Sequence, residues 1–324
     1  MSTTIKDVAR EANVGVGTVS RVLNDSKDVN LITKQKVLEA IAKLNYVPSE
    51  IGKRLRKNKT KTIALLIPVI TDLFFTQLTY YVENALDKYG YTLLLVSSQQ
   101  RISKENEIVD RLKGKEVDGA LVVTHFYHDE NEFDNCNIVS IDRHLGKNIP
   151  YVTSDNYDGT KKALKEFIKR GAKRIGFIGS KPLVESEVSN RIKAYNDVMD
   201  EYKLEKLIVY EAIRHGEEEN IVNEFLNTYQ DVDALFISGY SISQVAYKIL
   251  KKRGITIPND IEIICYDENF VNWIASSIPI TCVKQDIQQM AEKAVEILIN
   301  EINGKEVPLK TIIKSTFISG ITTK

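Results

Sequence analysis

His125 and His128 stand as H-x-x-H, and two imidazoles at that spacing could bind a metal ion. The rest of a metal-hydrolase signature is missing. No H-E-x-x-H occurs and the pair falls in an apparent loop, so the expectation is two surface histidines and no metal. Gly15-Val16-Gly17 could open a phosphate-cradling turn, but that turn needs a preceding strand and a third glycine. Here the third position is Ser20, and the preceding IKDVAREAN reads as a helix. No G-x-S-x-G elbow and no complete G-x-x-x-x-G-K-[ST] loop appears. Cys136, Cys265 and Cys282 contain no C-x-x-C pair and are expected to be buried thiols in a reducing compartment. This inventory points away from an enzyme and calls for no cofactor.

The same glycines make sense between two short helices. In the first, Ile5, Val8, Ala9 and Ala12 recur at helical spacing, and Thr4 with Asp7 forms a T-x-x-D start signal. A turn at Asn13 to Gly15 follows, then a second helix with Val19, Val22 and Leu23 facing inward. Asn30 caps a third helix whose inner face is Val37, Leu38, Ile41 and Leu44. This is the outline of a helix-turn-helix.

Charge supports that outline. The chain of 324 residues is formally neutral, yet residues 1–61 hold 13 Lys or Arg against 6 Asp or Glu. A basic excess beside a groove-sized helix suits nucleic acid. The segment SEIGKRLRKNKTK at 49–61 reads as a basic linker in which Ser49 can cap a short helix and Ile51 and Leu55 share one side. So short a helix, weakened by Gly52, should form only against a partner.

From Thr62 the pattern becomes short apolar strands alternating with amphipathic helices. Eight strand candidates, from IALLIPV through YTLLLVSS, DGALVVT, NIVSIDR, RIGFIGS, LIVYEA and DALFISG to IEIICYD, predict parallel sheets covered by helices. Eight exceed what one mononucleotide-type half needs, so the fold class is α/β with two similar lobes in series and a ligand beyond the strands' carboxyl ends. The expected domains are a headpiece at 1–48, a hinge helix and linker at 49–61 and an effector-binding and dimerisation domain at 62–324.

The headpiece TIKDVAREANVGVGTVSRVLN, the NYVPS junction, the hinge RLRKNKT leading into TIALLIP, the segment SDNYDGTKKALKEFIKRGAKRIGFIG and the run IPNDIEIICYDE stand in one order and spacing. In these the chain resembles the lactose-repressor and galactose-repressor (LacI/GalR) family of bacterial transcription regulators, from Thr4 nearly to the end. The resemblance implies a three-helix headpiece, a hinge helix and a two-lobed domain like the periplasmic binding proteins. By it, Val16, Gly17 and Arg21 read bases in the major groove; Arg21 can bond guanine twice, Val16 can touch a thymine methyl, and Gly17 reads nothing. Thr18, Ser20, Asn24 and Thr33 position phosphates, with ordinary helix surface or capping an equal alternative. Leu55 matches the hinge leucine that wedges between base pairs. Gly52 replaces the family's alanine, so Gly52→Ala is expected to tighten operator binding.

In the effector domain the resemblance assigns ligand contact to Asp72, Phe74 and Phe75 in TDLFF, to Arg191 in NRIKAY and to Asp267 in CYDEN, with Arg143 and Gln285 from neighbouring loops. Phe74 and Phe75 could stack on an apolar sugar face. Where the family carries Asn-Asp after DALFIS, this chain has Gly239-Tyr240, so a sugar-gripping carboxylate is absent and Tyr240 is the substitute candidate. The expected function is a sequence-specific regulator, a repressor of carbohydrate-utilisation genes. Its expected partners are double-stranded operator DNA, a sugar or sugar phosphate and a second copy of the chain, since one headpiece covers one half-site. The alternative is a co-repressor-dependent regulator answering to a non-sugar metabolite or a protein partner. An enzyme lacks a catalytic cluster, and an exported solute-binding protein would need a signal sequence where the headpiece stands. With no apolar run of membrane length, the expected location is the cytoplasm.

Overall fold

The computed structural model describes residues 3–23, 26, 28–46, 59–99, 101–212, 216–267 and 278–324. The chain divides into two compact units, Met1–Thr60 and Lys61–Lys324. Asn24 and the hinge residues Ser49, Ile51, Gly52 and Leu55 lie outside the described residues.

The first unit contains α1 (Ile5–Glu11), α2 (Val16–Leu23) and α3 (Leu31–Lys43). The Asp7 carboxylate reaches back to accept the Thr4 backbone N–H at 3.0 Å, satisfying a donor that the helix leaves unused. Asn13 bends the chain between α1 and α2 with φ 52°, a left-handed conformation that asparagine tolerates. Asn30 Oδ1 caps α3 by accepting from Thr33 N–H at 2.8 Å. Val8, Ala9, Ala12, Val19, Val22, Val37 and Ala40 form the buried core. Leu38, expected on the inner face, is exposed. It stands a full helical step of about 100° from Val37, whereas Ala40, Ile41 and Leu44 return to the same side.

Among the described residues, the second unit holds twelve strands in two six-stranded sheets. In the first lobe, β1 (Thr62–Ile67), β2 (Thr92–Ser97), β3 (Gly119–Val122), β4 (Ile138–Ile141), β5 (Tyr151–Ser154) and β11 (Lys310–Ile313) lie in the order β11-β5-β4-β3-β1-β2. In the second, β6 (Ile175–Ser180), β7 (Leu207–Glu211), β8 (Ala234–Ser238), β9 (Glu262–Tyr266), β10 (Thr281–Lys284) and β12 (Thr316–Ile318) repeat that order as β12-β10-β9-β8-β6-β7. All pairings are parallel except β10 with β12. The eight expected strands are present. The four additional ones are only three or four residues long and mix polar with apolar residues, so they carry little periodicity.

The helices are α4 (Leu73–Asp87), α5 (Ile102–Lys113), α6 (Asn156–Lys169), α7 (Asn190–Tyr202), α8 (Glu218–Thr228), α9 (Tyr240–Lys252) and α10 (Ile287–Ile302). They cover both faces of each sheet. Leu78 and Val82 of α4 and Met290, Ala294 and Leu298 of α10 pack on Ile63, Leu65 and Ile67. Phe167 of α6 and Tyr195 of α7 pack on Phe177 and Phe236, while Phe225 of α8 and Leu250 of α9 pack with Ile178, Leu235 and Ile237 on the opposite face.

The lobes are not in series. After β10 the chain returns to the first lobe to place α10 and β11, then crosses back to form β12. The segments are tightly apposed near Gly159, where a Cβ would lie 2.5 Å from Ser315 Oγ. Burial of the thiols also differs from expectation. Cys265 and Cys282 are buried on adjacent strands in direct register, but Cys136 is only half-buried; all three are free.

Candidate functional site

The shared strand order reverses direction beside β1 in one sheet and β6 in the other, and ligands of such sheets sit beyond the carboxyl ends at that point. A cleft of about 570 Å3 lies there. The first lobe contributes Asp72, Phe74 and Phe75 after β1, His125 and Phe126 after β3, and Asp142 and Arg143 after β4. The second contributes Lys181 after β6, Arg191 from α7, Ser238 at the end of β8, Asp267 after β9 and Gln285 after β10.

Asp72 caps α4, accepting the Phe74 N–H at 2.8 Å, which aims the two phenylalanines into the cleft region as an edge-to-face pair with centroids 5.4 Å apart. Arg191 is held by four surroundings at once. Its Nε donates to Asn156 Oδ1 at 2.7 Å, Nη1 donates to Ser238 Oγ at 3.4 Å, and its guanidinium carbon lies 3.6 Å from the Tyr266 ring centre. The Asp267 charge is the fourth. Gln285 Nε2 donates to Asp267 Oδ1.

Asp142 and Asp267 both take left-handed backbone conformations, φ 57° and 84°. Such conformations in non-glycine residues cost on the order of 1 kcal/mol and recur at ligand sites. Burial holds the Asp267 carboxyl above the usual carboxylate range, with Arg191 and Gln285 opposing the shift. Burial and the Arg143 charge push His125 down to about 4, so its imidazole is neutral at pH 7. Arg143 is itself drawn down by burial, with Asp142 opposing. Arg143 Nε, His125 Nε2 and Gln285 Oε1 are buried without a hydrogen-bond partner among the described residues. The cleft thus offers donors, acceptors and aromatic faces together, the set that a polyhydroxyl ring with apolar faces matches.

Seven of the eight expected residues, Asp72, Phe74, Phe75, Arg143, Arg191, Asp267 and Gln285, line this cleft. Tyr240, the first residue of α9, instead lines an adjoining recess of about 210 Å3 with Asp72, Phe74, Gln77 and Asp267. The surface expectation for the histidines is overturned. His125 is half-buried in the cleft wall. His128 is buried between carboxylates, Nε2 at 2.8 Å from Glu105 and Nδ1 at 3.0 Å from Glu132, which raise its pKa against the opposing burial. Sequence reasoning also missed Asp142, Lys181 and Ser238. A signal for Asp142 existed: IVSID at the end of β4 parallels IICYD at the end of β9 in the repeated order.

In the first unit, Val16, Gly17 and Arg21 are exposed on the side of α2 opposite buried Val19 and Val22, while Thr18, Ser20 and Thr33 are half-buried. A Cβ at Gly17 would meet only Arg21 Nη2, at 3.9 Å.

The family profile described as bacterial regulatory proteins, lacI family, matches residues 4–49, and one described as a periplasmic binding protein-like domain matches 164–323. The chain is 33% identical to the ribose operon repressor of Halalkalibacterium halodurans, over 98% of each chain. A structure of a periplasmic binding protein/LacI transcriptional regulator from Alkaliphilus metalliredigens, complexed with D-xylulofuranose, is similar at TM-score 0.72 and 27% identity, covering 82% of this chain and 99% of that one. The lac repressor dimer bound to operator and the anti-inducer ONPF matches at TM-score 0.86 and 20% identity, over 100% of this chain and 99% of that one, a likeness of fold.

Proposed function

Because this chain belongs to the lacI family of bacterial regulatory proteins, we propose that it is a DNA-binding repressor of carbohydrate-utilisation genes, controlled by a sugar or sugar phosphate in the interlobe cleft. It binds a two-fold operator as a homodimer, one half-site per headpiece. The observation that carries the ligand reading is the convergence of Arg143, Arg191, Asp142, Asp267 and the Phe74–Phe75 pair on one cleft. Val16, Gly17 and Arg21 face the bases, Thr18, Ser20, Asn24 and Thr33 contact phosphates, and Leu55 enters the minor groove. A ligand touching both lobes binds their arrangements unequally, and that difference is the free energy available to change operator affinity. The protein performs no catalytic step, and its DNA partner places it in the cytoplasm. Among the described residues no helix is long and apolar enough to cross a membrane.

A second reading, co-repression by a non-sugar metabolite, is favoured by Gly239-Tyr240, which puts an aromatic ring instead of a carboxylate in the recess beside Asp72 and Phe74. Fluorescence anisotropy of a labelled palindromic operator with a central CG step, at two salt concentrations and against a panel of sugars and sugar phosphates, tests both. Selective binding that weakens steeply with salt is expected, with release by a sugar. Tightening by a panel compound moves the conclusion to co-repression. A lack of preference over scrambled DNA, maintained after selection from random sequences, defeats the repressor reading.

A further inference from the structure

Between β6 and α7 a second-lobe segment runs beside the end of β4 in the first lobe. Arg143 and Ser186 form an isolated antiparallel bridge, and the His144 N–H donates to Glu185 O at 3.2 Å. Ser186 Oγ donates to the Asp142 carbonyl at 2.7 Å and accepts from Arg143 Nη1. Glu187 then closes the join. It is only 9% exposed, yet its Oε1 accepts from Lys310 Nζ at 2.8 Å and Tyr151 OH at 3.0 Å, and lies 3.1 Å from His144 Nε2. All three belong to the first lobe. Its other oxygen accepts from Asn190 Nδ2 at 2.8 Å, on the residue preceding Arg191.

We propose that Glu187 is a positioning residue for the cleft: a second-lobe carboxylate that clamps Lys310, Tyr151 and His144 of the first lobe, fixing Arg143 through the neighbouring Ser186 and Arg191 through Asn190. An exposed ion pair contributes little to stability, but here one shielded oxygen gathers three donors, so its loss leaves several polar groups without their partner. The clamp spans the lobes at the cleft's edge. It opposes any change in lobe arrangement and is therefore a point through which ligand occupancy is felt. Burial alone would raise the Glu187 carboxyl, but the bonds from Lys310, Tyr151 and His144 hold it below the ordinary range. Glu185, 3.2 Å from His144 Nδ1, is the other acid facing the cluster. A lowered carboxyl pKa means that the clamp is intact above the ordinary glutamate range and loosens as pH falls through the lowered value.

The proposal rests on reading the cleft as the effector site, and its first test needs no ligand. In the full-length protein, hydrogen exchange read by mass spectrometry over residues 142–146 and 184–190 is expected to quicken roughly tenfold in Glu187→Gln, and roughly threefold in Lys310→Met and Tyr151→Phe, while β6 and β8 stay protected. In Glu187→Gln the D-ribose concentration that half-releases operator is expected to rise roughly tenfold. Unchanged exchange around His144 overturns the clamp whatever the ligand proves to be. Uniform acceleration through both lobes overturns it too, because the role would then be global stability. If Glu187→Gln fails to fold, Lys310→Met at an exposed site and Tyr151→Phe at a half-buried one decide the question. If D-ribose fails to release operator from the wild type, the choice of sugar is what fails; if the whole panel leaves operator affinity unchanged, the cleft reading does, and in either case the exchange result still decides the clamp.

Discussion

Arg21 in the headpiece and Arg191 in the cleft carry the same guanidinium into opposite surroundings. Arg21 is exposed on an eight-residue helix, beside a glycine that offers it no side-chain wall. Arg191 is 4% exposed and held by Asn156, Ser238 and the Tyr266 ring. An arginine that reads bases must adapt to a solvated groove whose phosphates supply most of the affinity. An arginine that recognises a small ligand has no such excess and depends on being oriented beforehand, with its desolvation offset by fixed partners. On the proposed function, affinity in the headpiece is therefore spread over many weak contacts, whereas in the cleft it is concentrated in a few buried groups.

The sharpest way to break that comparison is Arg191→Met. Two charge-assisted hydrogen bonds of about 1.5 kcal/mol each correspond to roughly a hundredfold loss of ligand affinity, with ligand-free operator binding retained. Titration of the operator complex with the releasing sugar reads this, and an unshifted midpoint removes Arg191 from the site. Next in size is Arg21→Ala, expected to weaken the cognate operator by about 1–3 kcal/mol while leaving scrambled DNA nearly unaffected. Equal losses on both DNAs would make Arg21 a phosphate contact and erase the distinction.

Asp267 sharpens the cleft side. Its carboxyl is raised by burial, so the charged form is disfavoured in the folded state, and this destabilising contribution grows as pH climbs through the ordinary aspartate range toward neutrality. Asp267→Asn should melt higher than the wild type at pH 7, with the gap narrowing as pH falls, even as ligand response is lost. A lower melting temperature would show that pairing with Arg191 outweighs burial. The smallest effect is expected at Gly17→Ala, which gains about 0.5 kcal/mol of helix stability and meets only ordinary contact with Arg21. Amide exchange in α2 should slow roughly twofold.

The headpiece was legible because its information is local: Thr4 with Asp7, Asn30 with Thr33, and apolar residues three or four apart decide three helices. Seven cleft residues were legible as motif positions, and the repeated strand-end aspartate would have added Asp142. For Tyr240 the sequence position does not reveal which of two adjoining recesses the start of α9 faces. His128 was read as exposed because its partners, Glu105 and Glu132, come from a separate helix and a short turn.

By itself the sequence determined the three headpiece helices, the eight expected strands and most of the inward faces, since each depends on residue type and short-range spacing. Tertiary structure alone decided that the lobes interleave and that Glu187 meets Lys310 from 123 residues away. Such pairings depend on closure of long loops around packed sheets, and no local pattern encodes them.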